Sequence, residues 1–240
     1  MKRSILTALA VLATGMTVLA AVGSARADTL RTEQRVVQVG AARSVDVHLT
    51  IGAGRLQVAG GARTLLDARF RYNHDNWRPE VRYAVRARHG QLTVQQHSTV
   101  DVGDLANIQY EWNVRLNNRV PMRLRVEEGA GTSTLMLGSV SLTGLDVKLG
   151  AGETTLNLAG NRSHSFNATI QGGVGKLTVV LPRRVGVRVT AKHGLGEFAV
   201  HGLRQDGDTY VNSAYGSSHV TVNVTIEQGV GSIMLEQADQ

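Results

Sequence analysis

The sequence predicts an all-β fold: a β-solenoid-like stack of strand, Gly-x-Gly, strand repeats, preceded by a more open β-section. Three observations carry this expectation. Six Gly-x-Gly triplets punctuate the chain, apolar residues alternate on both flanks of each, and from Gly129 onward the triplets lie 21, 23, 21 and 35 residues apart. Alternation with period two marks a strand with one buried face. Spacing near 20 residues marks an array in which each unit buries its face against its neighbours. A β-sandwich of hairpins is the alternative, because helix signals are absent in both cases.

The chain opens with a segment outside the fold. Lys2 and Arg3 form a basic start, Ile5 to Val22 is an apolar run, and Ala25-Arg26-Ala27 places small residues where a signal peptidase reads. Residues 1–27 therefore read as a secretory signal peptide cleaved before Asp28, with an uncleaved membrane anchor as the alternative. No second apolar run is long enough to span a bilayer, so no membrane span is expected in the mature chain. The expected location is exported: periplasmic, cell-surface or secreted. There is no cysteine, so packing and strand pairing must hold the exported fold.

Residues 28–119 form the more open β-section, expected to cap the array. Phe70 and Tyr72, then Val81, Tyr83, Val85 and Ala87, then Leu92 and Val94 alternate as inward sets. Asn73 to Pro79 reads as a polar turn, His89-Gly90 as a second turn, and Thr99 to Asn107 as a polar loop. Trp112, Val114 and Leu116 lead to Pro121 and the regular repeats.

Residues 120–240 hold the repeat region, expected to be continuous with the first section as one domain. The glycines of the six triplets are Gly52 and Gly54, Gly129 and Gly131, Gly150 and Gly152, Gly173 and Gly175, Gly194 and Gly196, and Gly229 and Gly231. Three residues before each first glycine stands Leu49, Val126, Val147, Ile170, Ala191 or Ile226. From that position to Leu56, Leu177, Phe198 or Ile233 the interval is seven. An odd interval puts the second apolar set on the wrong face of a straight strand. The chain must therefore bend or bulge at the triplet, with positive φ expected at the second glycine. The 35-residue interval carries an insertion, Gln205 to Ser218, that reads as an extra hairpin or loop.

Several of these features together resemble the toast-rack family. They are Trp112, Val120-Pro121, the triplets from Gly129 to Gly152, Leu142, Leu145, Gly173-Val174-Gly175, Leu181-Pro182, Gly186-Val187-Arg188-Val189 and Gly229-Val230-Gly231. The resemblance spans residues 41–236. It implies a stacked-strand fold at the bacterial cell envelope, related to the extracellular part of LiaF-type proteins and to adhesin-like domains. LiaF-type proteins are linked to envelope-stress sensing and carry several transmembrane helices, whereas this chain has only the signal segment. The resemblance brings no catalytic residues.

Nor do the residues point to an enzyme. Eight histidines are present, but no His-Glu-x-x-His and no Gly-x-Ser-x-Gly. Asp206-Gly207-Asp208 and Asp101-Val102-Gly103-Asp104 lack the spaced acids and distal glutamate of a calcium loop. The triplets precede strands, not helices, so they are not phosphate loops. No cofactor or metal is expected.

Charge gives one candidate site. Residues 28–125 hold 15 Arg, no Lys and 9 acids, for +6; residues 126–240 hold 8 bases and 10 acids, for −2. Arg69, Arg71, Arg82, Arg86, Arg88, Arg123 and Arg125 alternate against apolar residues. They are expected either to line one cationic face that takes an anionic envelope polymer or lipid headgroups, or to be a solvated exterior. Another envelope protein is a further partner class; nucleic acid is not expected, given export and few exposed aromatics. Two roles follow: an envelope binding module, or a self-associating structural or adhesin-like surface protein, since a stack exposes strand edges.

Overall fold

The computed structural model describes residues 30–96 and 109–238. The signal segment, His97, the loop from Thr99 to Asn107 and its Asp101 to Asp104 pattern lie outside those residues. The fold is all-β, with 14 strands in one open sheet among the described residues. The only helical element among the described residues is a 3-10 turn at Asp75–Trp77.

Five repeats are each a single strand that runs through its triplet. These are β2 (Ser44–Ala62), β7 (Met122–Met136), β8 (Leu142–Asn157), β9 (Phe166–Leu181) and β14 (Thr221–Gln237). In the remaining repeat, fifth in chain order, the ladder breaks at the second glycine of the triplet, giving β10 (Gly186–Leu195) and β11 (Phe198–His201). All six pair in parallel, triplet against triplet.

Reach shows that these long strands fold back on themselves. Fifteen residues fully extended span about 50 Å. Yet only residues 137–141 join the end of β7 to Leu142, which pairs beside Met122 at the start of β7. Five residues bridge at most about 20 Å. Each strand is therefore two arms bent at the triplet, and each repeat is one coil.

The bend also switches which residues face inward. In β2 the buried set is Val45, Val47, Leu49 and Ile51 before the triplet, then Leu56 and Val58 after it. In β9 it is Phe166, Ala168 and Ile170, then Leu177, Val179 and Leu181. Parity flips at the second glycine, whose φ lies between +126° and +143° in all six repeats. Both arms thus feed one continuous apolar cluster.

The stack does not follow chain order. From β2 the neighbours run β7, β8, β9, β14, β10, so the last repeat sits between the fourth and the fifth. A solenoid with one coil after another would have placed β10 against β9. The insertion supplies the slack for this exchange. It forms a hairpin of β12 (Arg204–Asp206) and β13 (Thr209–Val211), turned at Gly207 with φ +59°, and β13 pairs with β10 at Arg188 and Val189.

At the other end, the first arm of β2 is covered by β5 (His89–Gln96), which pairs with β4 (Pro79–Arg86). The second arm is covered by β6 (Tyr110–Asn117), then β3 (Leu66–Tyr72), then β1 (Arg31–Val37). Phe70, Trp112, Tyr110 and Trp77 pack edge to face beneath it, with successive centroids 5.3, 5.8 and 5.9 Å apart.

One turn is corrected. Arg86 pairs with His89, so the β4–β5 turn is Ala87-Arg88, with φ +49° and +64°, and His89-Gly90 is already strand. Ala87 is consequently exposed rather than inward.

Candidate interaction surfaces

The seven arginines do not form one face. Arg69 and Arg71 project outward from β3, on the second-arm side of the coil. Arg82 and Arg86 on β4, and Arg123 and Arg125 on β7, project from the first-arm side. Arg88 lies in the turn at the end of β4 and not on the strand. The expected single cationic face is therefore split, because the strand bend sends the two arms of each coil to different exteriors.

Acids neutralise part of the charge as well. Arg71 meets Glu111 at 3.1 Å, Arg82 pairs with Glu80, and Arg123 and Arg125 approach Asp146 at 3.0 and 3.9 Å. Among the described residues no acid pairs with Arg69, Arg86 or Arg88. These exposed pairs contribute little to stability, since water screens them.

The triplet glycines form the corner of every coil, stacked in register. A Cβ built on Gly150 would lie 2.0 Å from the carbonyl oxygen of Gly129, and on Gly152 1.9 Å from that of Gly131. The equivalent contacts are 1.8 Å for Gly175, 1.9 Å for Gly231 and 1.7 Å for Gly196. Gly129, Gly173, Gly194 and Gly229 also face the carbonyl of the glycine one rung below, at 2.3 to 2.9 Å. Gly54 faces the carbonyl of Tyr110 at 2.3 Å. Gly52 differs: its missing Cβ faces only the flexible Gln96 side chain.

Sequence reasoning passed over three polar side chains that hold the interior. Glu128 is buried beside the corner and accepts a hydrogen bond from Ser133, and burial raises its pKa. Glu128 and Gln228 line a cavity of about 20 Å³ with Gly152, Thr154 and Gly172. That space is water-sized and cannot admit a substrate. Arg162, in the β8–β9 loop, donates to the carbonyls of Val140, Leu137 and Leu158 at 2.7, 2.9 and 3.1 Å and lies over the Phe166 ring. Burial brings its pKa down to about 10, so it remains charged. Asn212 donates to the carbonyls of Pro182 and Val185 and accepts from the Val187 amide. A lone Arg or Asn in a loop gives no periodic signal that would reveal such a role.

Among the described residues no three His, Asp or Glu side chains gather as a metal site. His89 contacts Ser44 and Asp46, His48 contacts Thr50 and Glu127, and His193 stacks on Phe198. Among them, too, no helix is long and apolar enough to cross a membrane.

Comparison with known proteins agrees with this geometry. No curated protein matches the sequence. A candidate cell adhesion protein from Clostridium sporogenes ATCC 15579, of known crystal structure, is 32% identical. The match covers 88% of this chain and 100% of that one, with a TM-score of 0.85. A candidate adhesin from Bacteroides fragilis NCTC 9343, 12% identical over 86% of this chain and 97% of its own, superposes at a TM-score of 0.25, too low to carry an argument. The profile of the N-terminal domain of toast_rack, DUF2154, matches residues 26–180, which hold the N-terminal cap and the first four coils. On both grounds the chain belongs to the toast-rack family.

Proposed function

We propose that this is an exported, non-enzymatic, adhesin-like protein of the cell envelope that works by surface contact. The observation that carries this reading is the match, over 88% of this chain and 100% of that one, to the candidate cell adhesion protein of Clostridium sporogenes. The architecture supports it: the array offers broad outer faces, and the Ser44–His89–Asp46 contact lies at the surface, with the His89 and Asp46 side chains 42% and 55% exposed. We propose further that the basic half attracts an anionic envelope polymer or lipid headgroups. Arg69, Arg86 and Arg88 have the charge free to do so, and guanidinium groups suit phosphate and carboxylate.

The test is sedimentation of the mature chain with anionic vesicles or wall fragments at low and high salt. Attraction carried by exposed charge fades as the screening length shortens. Because the arginines occupy two exteriors, two variants are needed: Arg82→Glu/Arg86→Glu/Arg88→Glu and Arg69→Glu/Arg71→Glu. The variant that stops salt-sensitive sedimentation without lowering the melting temperature identifies the contact face. Sedimentation unchanged in both overturns the anionic-partner reading.

A further inference from the structure

The two ends of the stack are built differently. At the N-terminal end the edge strands are blunted in a known way. The core-facing side of β1 carries Glu33 and Arg35, with Glu33 also held by Arg78 at 3.0 Å, and edge strand β4 carries the Arg82–Glu80 pair. The C-terminal end lacks this protection. Among the described residues no strand pairs with the far side of β10 from Thr190 to Leu195, nor with that of β11.

The core also breaks surface there. The position held by Ala191 is occupied by Leu49, Val126, Val147, Ile170 and Ile226 in the other coils, all buried. The column of Val200 holds Val58, Leu135, Leu156, Val179 and Leu235, again all buried. Only in the end coil are Ala191, Phe198 and Val200 partly exposed. At its corner Leu195 is 76% exposed and continues a ridge with Val230 and Val174.

We propose that this end is the interface of a symmetric dimer, in which β10 and β11 of one copy pair with β11 and β10 of a second. A bent coil has the symmetry to do this. A two-fold axis through the corner exchanges the two arms and reverses the stacking direction, so arm lies antiparallel against arm and the apolar interior continues across. Inward residues must meet inward residues, which restricts the register. The register that sets Ala191 opposite Phe198 centres on Gly194 and Leu195. It places Lys192 of each copy opposite Glu197 of the other, both exposed. The edge is thus complementary to itself, as an isologous interface requires. The hairpin on Arg188 and Val189 limits the pairing to residues 190–199. The blunted N-terminal end stops the contact from propagating head to tail, so the assembly closes at two. This rests on the unpaired edge alone and is independent of the anionic-partner reading.

Sedimentation equilibrium of the mature chain tests it. The expected result is a monomer–dimer equilibrium. Lys192→Glu and Glu197→Lys each turn two attractions into two repulsions, so each variant alone should dimerise at least about tenfold more weakly. Mixed together they should form a heterodimer, because an acid of one variant then faces a base of the other at both contacts. Both residues are exposed, so circular dichroism melts should match the parent. A monomer at every concentration, which would leave the edge to a foreign strand, overturns the proposal. So does a dimer that both single variants leave intact.

Discussion

An alanine at position 150 would set a methyl carbon 2.0 Å from the carbonyl oxygen of Gly129, against backbone atoms with no side chain to yield. Gly150→Ala is therefore expected to cost about 2 kcal/mol by overpacking. Gly152→Val adds strain at φ +135° to the same clash and should cost more, about 3 kcal/mol or above. Gly52→Ala meets only Gln96 and should stay within about 0.5 kcal/mol of the parent. Urea titrations of the three variants check the order. The second glycine was legible in the sequence, because a seven-residue interval between inward side chains demands a backbone switch. The first was not, because its reason is a carbonyl one rung away. Glu128 gives a second expectation. Burial raises its pKa in the folded chain, so the native state holds its proton more tightly than the unfolded state does. The stability Glu128 contributes is then fully present below the ordinary carboxylate value and is lost as pH rises from there through the raised native value. Glu128→Gln should flatten that decline and be the more stable protein at pH 7, as thermal melts across pH would show.

The β4–β5 hairpin shows where alternation misleads at the level of the element. Continuing the inward set of Val81, Tyr83 and Val85 by two places Ala87 in the core, and Gly90 then looks like the turn. The ladder instead closes between Arg86 and His89. The two-residue link carries positive φ at both positions, a type I′ turn that favours Asn-Gly, and here it is filled by Ala-Arg. Nothing in those two side chains announces it. Ala87→Asn/Arg88→Gly should raise stability by about 1 kcal/mol, read by thermal melting, because both residues relax into the required conformation. Arg88 would leave with the change, so the same variant gives a partial check on the charged exterior. The insertion hairpin was easier to read, since Gly207 between two aspartates is itself a turn signal.

For the whole molecule, period and spacing were enough to give an all-β stack of strand, triplet, strand units. They did not give the order of the coils. Repeats of near-identical pattern can exchange neighbours without changing a single inward residue, so β14 fits between β9 and β10 as well as beyond them. The candidate site was legible as a list of outward arginines but not as a surface. Alternation fixes the side of a strand on which a residue lies, whereas the exterior it joins depends on how the arms fold. That is why Arg69 and Arg125, both outward, share no face.

The position of β14 also has a consequence in time. β14, made after every other described strand, is an interior one, paired along its length with β9 and on its other side with β10 and β11. Until it arrives, β10 has no partner except the short hairpin, and β9 has an open flank. The cap and first four coils can assemble as the chain emerges, but the end of the stack must wait for β14. The chain should therefore fold in two stages, with the second triggered by the arrival of β14. Removing residues 220–240 should leave the amides of β2, β7 and β8 protected from hydrogen exchange while those in 186–211 exchange freely. The full chain should protect both, and it is in the truncated form that the flank of β9 becomes the place where a wrong strand can enter.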